Sequence, residues 1–148
     1  MPASHFPLSG TLTSDGHSLT QRVYYEDTDF SGVVYHARYL HFLERGRTDF
    51  LRCLGIEQAK MATGGDSLVF VVHRMEIDFK SPARMDDILT IRTSTEKAAG
   101  AKLVLLQEVR RDEVLLIAAR VIVAVINAKG RPQRLPAALV EKFTHPTG

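Results

Sequence analysis

At 148 residues, with 45% hydrophobic and 24% charged side chains, the chain can bury one substantial core and is short for two. A net charge of +2 suits a small anionic ligand and is far from the basic footprint of a nucleic-acid binder. The single cysteine, Cys53, excludes an intrachain disulfide and points to a reducing compartment, the cytoplasm, while no apolar run reaches the ~18 residues of a membrane span.

In chain order, residues 1–9 read as a loose tail, and MPASHFPLSG has no basic segment followed by an apolar run, so no signal peptide is expected. Ser14-Asp15-Gly16-His17 carries an Asp-Gly turn signal, which predicts a hairpin over residues 10–26 ending in Gln21 to Glu26. The run Asp27 to His36, DTDFSGVVYH, follows at once. From about Val34 to Leu54 the period becomes helical: Ala37, Leu40, Leu43, Arg47, Phe50, Leu51 and Leu54 recur every three or four residues, and Gly55 sits at the C-terminal cap. Arg45 with Asp49, and Glu44 with Arg47, are spaced to pair on the less apolar side. Tyr39 and Phe42 fall off the main stripe, so this helix is expected to be covered on most sides.

Past the polar stretch Thr63-Gly64-Gly65-Asp66, strands are expected over 67–80, 87–97, 101–111 and 113–127. Ala99-Gly100 and Asp112-Glu113 are short connectors, which make their flanking strands antiparallel neighbours. Pro136 to Phe143 suggests a short terminal helix. The fold class is therefore α+β, one long helix packed on an antiparallel sheet of about five strands, in a single domain over 1–148 with residues 1–19 a tail or extra hairpin. One helix covers one face only, and the other face then calls for a dimer.

The run DTDFSGVVYH matches the first half of a calcium loop, with Asp27, Asp29, Ser31 and Gly32 at loop positions 1, 3, 5 and 6. Position 12 needs a bidentate glutamate and holds Arg38, and the segment before the loop, Val23-Tyr24-Tyr25, favours strand over helix. Asp, Thr and Ser ahead of a helix are also common turn formers and caps. Against that plain reading stands the crowding of Tyr25, Asp29 and His36 within twelve residues, around a glycine at a helix start. Free N–H groups there carry partial positive charge, and one such donor aimed at an oxyanion is worth about 3 kcal/mol. The chain has no Gly-rich phosphate loop, no His/Cys set at ligand spacing and no G-x-S-x-G elbow, so neither a metal nor a tightly bound cofactor is expected.

The stretch YYEDTDFSGVVYHARYLHFLERGRTDFLRCLGI, with SPARMDDILTI downstream, resembles the hot-dog-fold acyl-CoA thioesterases related to 4-hydroxybenzoyl-CoA thioesterase. It is most similar to their Tol-Pal-associated bacterial branch. The resemblance runs from Gln21 to Ile126, and its signature falls on Tyr25, Thr28, Asp29, Gly32, Val33, Val34, Tyr35, His36, Tyr39, Leu40, Glu44 and Arg47. It implies a hot-dog fold, a long central helix wrapped by the sheet, and a homodimer or homotetramer with active sites at subunit interfaces. It further implies that Asp29 is the catalytic carboxylate, that the His36 backbone N–H binds the oxyanion, and that Tyr25 and the His36 side chain belong to the site. The implied reaction is hydrolysis of an acyl thioester of coenzyme A or acyl carrier protein, with coenzyme A as part of the substrate.

Asp29 either attacks the carbonyl or acts as general base on water; a helix N-terminus favours its charged form and hence attack, while burial would favour the base. Asp27 reads as a turn former, and Glu44 either lines the site or pairs with Arg45 or Arg47. Arg84, Lys97 and Lys102 are candidate phosphate contacts, weighed against ordinary solvated strand charges. Two rival functions remain at this point: a hot-dog dehydratase or hydratase using His36 and Asp29 as an acid–base pair, and a non-enzymatic scaffold of an envelope-associated complex.

Overall fold

The computed structural model describes residues 9–57 and 67–148. The tail 1–8 and the polar stretch Thr63 to Asp66 lie outside these described residues. The elements are β1 (Thr11–Leu12), β2 (Gly16–Arg22), a 3-10 turn (Tyr25–Asp27), α1 (Arg38–Cys53), β3 (Val69–Phe79), β4 (Ile88–Ala99), β5 (Lys102–Arg111), β6 (Val114–Ile126) and α2 (Ala137–Thr144). The strands form one antiparallel sheet in the order β1-β2-β4-β5-β6-β3. The α+β architecture is as expected; the sheet has six strands among the described residues rather than about five, the sixth being two-residue β1 of the Asp-Gly hairpin. No helix among the described residues is long and apolar enough to cross a membrane.

Two boundaries differ from the periodicity. The helix begins at Arg38, not Val34, because β-branched Val33 and Val34 are drawn into isolated bridges with Arg84 and Thr28, and Val34 donates to the Ala83 carbonyl at 2.8 Å. The second hairpin strand ends at Arg22; Tyr25 to Asp27 coil into the 3-10 turn, with the Asp27 carboxylate accepting from the Tyr24 N–H at 2.8 Å.

The buried side of α1 is also rotated from the expected stripe. Tyr39, Phe42, Leu43, Gly46, Phe50 and Leu51 face the core, and Leu40 is exposed. Gly46 sets how closely the helix lies on the sheet: a Cβ there would stand 2.8 Å from Ile91 Cγ2 and 3.2 Å from Gln107 Nε2. Gln107, fully buried on β5, clamps this contact. Its amide donates to the Leu43 carbonyl and to Thr93 Oγ1, both at 2.9 Å, and its Oε1 accepts from Arg47 Nη1 at 2.9 Å.

The expected helix pairs are replaced by contacts to other elements. Arg45 donates to Gln21 Oε1 at 3.1 Å, while Asp49 turns inward. Asp49 Oδ2 accepts from the Gly10 N–H at 2.7 Å, meets His17 Nε2 at 2.7 Å and receives the Cys53 thiol at 3.6 Å, so it anchors the N-terminal hairpin to α1. α2 closes the far end of the core, with Phe143 edge-on to Phe50 and Phe70. The outer face of the sheet carries ion pairs, Arg120–Glu96 at 2.8 Å and Arg110–Glu108 at 2.9 Å. Among the described residues the sheet ends in two free edges, the two-residue β1 and the eleven-residue β3.

At an exposed helix position Gly→Ala adds about 1 kcal/mol. At Gly46 the added methyl meets β-branched Ile91 in a packed core, where overpacking costs about 1–3 kcal/mol. Gly46→Ala is therefore expected to lower stability in urea unfolding by about 1 kcal/mol.

Candidate active site

The loop ahead of α1 divides its two acids by burial. Asp27 is buried: one carboxylate oxygen holds the Tyr24 N–H, the other pairs with Arg38 Nε at 3.3 Å, and its carbonyl accepts from the Tyr35 N–H at 3.0 Å. Arg38 also donates to the Glu26 carbonyl at 3.1 Å. Asp27 thus ties the 3-10 turn to the first residue of α1. Asp29, two residues on, is exposed. Its backbone closes a tight turn, N–H to the Val33 carbonyl at 2.9 Å and carbonyl to the Gly32 N–H at 3.0 Å, which Gly32 completes at φ 84°. The carboxylates of Asp27 and Asp29 face different partners and do not converge as calcium ligands would.

Asp29 Oδ1 accepts from the Ser31 hydroxyl and from the Ser31 N–H at 2.9 Å. The hydroxyl first, and the amide second, hold the carboxyl below its ordinary range, with a smaller contribution from the nearby His36. Asp29 is therefore an ionised carboxylate at neutral pH. His36 lies between Tyr35 and Phe79, with ring centroids 4.6 and 6.3 Å away. The Tyr35 N–H donates to the Asp27 carbonyl and the Arg38 N–H to the Tyr35 carbonyl at 2.8 Å, whereas neither the His36 nor the Ala37 N–H has an acceptor among the described residues. They sit within the first turn before the helix, where such donors are unsatisfied and electropositive.

His36 also lines a cleft of about 240 Å³ with Val34, Tyr39, Phe79, Lys80 and Pro82. Tyr39 shapes this cleft: its hydroxyl accepts the Ala83 N–H at 2.9 Å and so holds the loop that follows β3. Phe79 and Lys80 had no sequence signal, because they lie over forty residues from Asp29 and reach the site through β3. Tyr25 shares the turn but is 82% exposed, and makes no ring contact or side-chain hydrogen bond to Asp29 or His36. Among the candidate phosphate contacts, Arg84 is bridged to Val33 beside the turn. Lys97 and Lys102 flank the β4–β5 connector, about 30 Å along β4 from it. Glu44 is exposed two turns beyond His36 and forms no ion pair with Arg47 or Arg45 among the described residues.

Folding also assembles one group that spacing could not reveal, His17, Asp49 and Cys53, with ligand-type atoms within 4.8 Å of one another. His17 Nε2 and the Cys53 thiol both meet Asp49 Oδ2 in the hairpin anchor, His17 Nδ1 is buried without a partner among the described residues, and burial first, then Asp49, pushes the Cys53 thiol up to about 11. Such a thiol is neither nucleophile nor ready ligand at neutral pH.

The sequence profile of the thioesterase superfamily matches residues 31–118, beginning two residues after Asp29. An acyl-CoA thioesterase, YbgC, of Haemophilus influenzae is 40% identical over 135 residues, 90% of this chain and 98% of that protein. A probable thioesterase from Bartonella henselae of known structure is 48% identical, with a TM-score of 0.77 over 82% of this chain and 99% of that one. A 4-hydroxybenzoyl-CoA thioesterase carrying an Asp-to-Asn change, solved with 4-hydroxybenzoyl-CoA, shares the fold at a TM-score of 0.79 over 85% of this chain and 96% of that one, with 21% identity.

Removing the Ser31 hydroxyl takes away the largest cause of the Asp29 shift. In Ser31→Ala the carboxyl is expected to titrate at higher pH than in wild type, which carbon-detected NMR of the Asp29 side chain measures directly.

Proposed function

The chain belongs to the thioesterase superfamily, and on that premise we propose that it hydrolyses acyl-CoA thioesters, with Asp29 as the reacting carboxylate and the His36 backbone N–H as the oxyanion donor. The observation that carries this reading is the pairing, in one short loop, of an exposed ionised carboxylate with an unengaged N–H at a helix start. We treat residues 1–148 as one hot-dog thioesterase domain. Within the superfamily we assign it to the Tol-Pal-associated bacterial branch, which rests on the signature from Tyr25 to Arg47.

An ionised carboxylate well below neutral is a weak base, which favours attack over general-base action. In this mechanism an Asp29 oxygen bonds to the thioester carbon, and the carbonyl electrons move onto the oxygen facing the His36 N–H. Collapse of the adduct breaks the carbon–sulfur bond and leaves a mixed anhydride; the thiolate takes a proton from solvent. Water then cleaves the anhydride, releasing the carboxylic acid and restoring Asp29. The His36 ring and Phe79 wall the acyl side of the reacting carbon, and Tyr25 borders the entrance. No cofactor is needed for these steps beyond the coenzyme A of the substrate, and acyl carrier protein presents the same thioester.

The partner we propose is a second copy. Asp29, Phe30, Tyr35 and His36 are all exposed, and the Phe30 ring is entirely so, which leaves the reacting centre wet in one chain alone. Edge-to-edge pairing of β3 with another β3 would satisfy the free edge and bring a second surface against this loop. A homodimer is the smallest such assembly, and a homotetramer would join two of them. The cytoplasm is the compartment we propose, on the reduced thiol of Cys53.

Asp29→Asn is expected to lower kcat for free-thiol release from acyl-CoA by about a thousandfold or more with KM nearly unchanged, since the lost group acts only on the reacting carbon. Undiminished hydrolysis would refute the assignment. Val71→Lys on the β3 edge is expected to shift the mass seen by light scattering from at least twice toward the 16.5 kDa of one chain, with activity falling in parallel.

A further inference from the structure

The loop after β3 is fixed to the body of the protein from two sides. Val23, one residue past β2 and fully buried, donates its N–H to the Asp87 carbonyl at 2.9 Å, and its own carbonyl accepts from the Asp86 N–H at 2.8 Å. Arg111, the last residue of β5, donates from Nη1 to Asp87 Oδ2 at 2.9 Å and to the Pro82 carbonyl at 3.3 Å. The same Asp87 oxygen accepts the Arg84 N–H at 2.9 Å. Residues 82–87 therefore form a brace whose place is set by the ends of β2 and β5.

Ala83 lies inside that brace, fully buried, and spends both of its backbone groups on the neighbourhood of the proposed site. Its carbonyl accepts the Val34 N–H at 2.8 Å, and its N–H donates to the Tyr39 hydroxyl at 2.9 Å. Val34 and Tyr39 bracket His36 and Ala37, whose N–H groups have no acceptor among the described residues. One residue of the brace thus pins this short segment at both ends, while Asp27 and Arg38 tie it to the turn before it. The Tyr39 ring packs against Phe42 and Phe79, with centroids 6.0 and 5.9 Å away. Burial holds its phenol above the ordinary range, so the hydroxyl is a neutral acceptor at neutral pH and acts on geometry rather than through charge. A phenylalanine there would keep both ring contacts and leave the Ala83 N–H buried without an acceptor, a cost that is relieved if the peptide moves toward water. Such a movement would carry Val34 with it, and a displacement of about 1 Å at a reacting centre costs about a hundredfold in rate.

We propose that Tyr39 is a positioning residue for the oxyanion donor: through Ala83 it holds residues 34–39 so that the His36 N–H meets the thioester carbonyl. The inference rests on thioester hydrolysis at Asp29, and its test separates the two. Free-thiol release over a series from acetyl-CoA to palmitoyl-CoA, with benzoyl-CoA, is measured for wild type, Tyr39→Phe and Arg111→Met, the last of which loosens the brace from β5. Tyr39→Phe is expected to lower kcat by roughly tenfold to a hundredfold, with KM nearly unchanged and the pH profile unshifted, and Arg111→Met to show the same pattern more weakly. The carbonyl stretch of the best substrate of the series, isotope-labelled and bound, is then read by infrared difference spectroscopy in Asp29→Asn, with and without Tyr39→Phe. A held donor lowers that frequency, and adding Tyr39→Phe is expected to return it toward that of the free thioester. A Tyr39 that only stabilises the fold would lower the thermal midpoint of Tyr39→Phe and leave both kcat and the carbonyl frequency unchanged, which overturns the proposal. A loss confined to KM, or a displaced alkaline limb, does so too, since either would put the hydroxyl on the substrate. If Tyr39→Phe does not fold, Arg111→Met decides: a fall in kcat at constant KM sustains the proposal, and an unchanged kcat overturns it. Thiol release from no member of the series, or undiminished release in Asp29→Asn, would instead overturn the hydrolysis at Asp29 on which the proposal stands.

Discussion

The close approach of α1 to the sheet at Gly46 governs the rest of the molecule. With no side chain at that turn, the helix lies against Ile91, Thr93 and Gln107, and the Gln107 amide then bonds to the helix backbone at Leu43. A buried amide held on three sides permits one helix position, because sliding α1 by a turn would leave those polar atoms unpaired in the core. That position places the start of α1 beside Phe79 and the loop after β3. It also leaves a flank of α1 facing β3 across a partly filled groove.

The loop ahead of the helix shows how burial divides two chemically identical residues. Asp27 is turned in and its oxygens are engaged by Tyr24 and Arg38, so its charge serves the geometry of the turn. Asp29 is turned out and its charge is supported chiefly by Ser31, whose two hydrogen bonds both go to Oδ1 and leave the second carboxylate oxygen without a hydrogen-bond donor from another residue among those described. A rigid anchor and an available carboxylate two residues apart are what a reacting group needs: a fixed position and an unengaged atom. The exposed aromatic rings around it then have a physical meaning, since apolar surface next to a charge in water does not by itself make a dry site.

Much of this was legible before folding. The helix from its period, the strands from β-branched runs and the two short connectors all correspond to observed elements, because each signal is local. The signature isolated the loop itself. The boundaries at Val34 and Tyr25 shifted where backbone groups found partners forty or more residues away or a capping carboxylate close by, which periodicity does not register. The helix face was misjudged for a related reason. Leu40 and Leu43 look equivalent in sequence, and only the sheet, by accepting Gly46, chooses the side that Tyr39 and Phe42 occupy.

The sequence by itself determined the class of fold, the order of its elements and the short segment on which the proposed site is built, since these depend on side-chain type and spacing within a few turns. The tertiary structure alone decided which acid is buried and which is free. It brought Phe79 and Lys80 to His36 and gathered His17, Asp49 and Cys53 into an anchor. The physical reason is common to all of these: desolvation and hydrogen-bond satisfaction belong to the packed neighbourhood, and that neighbourhood is assembled from strands distant in the chain.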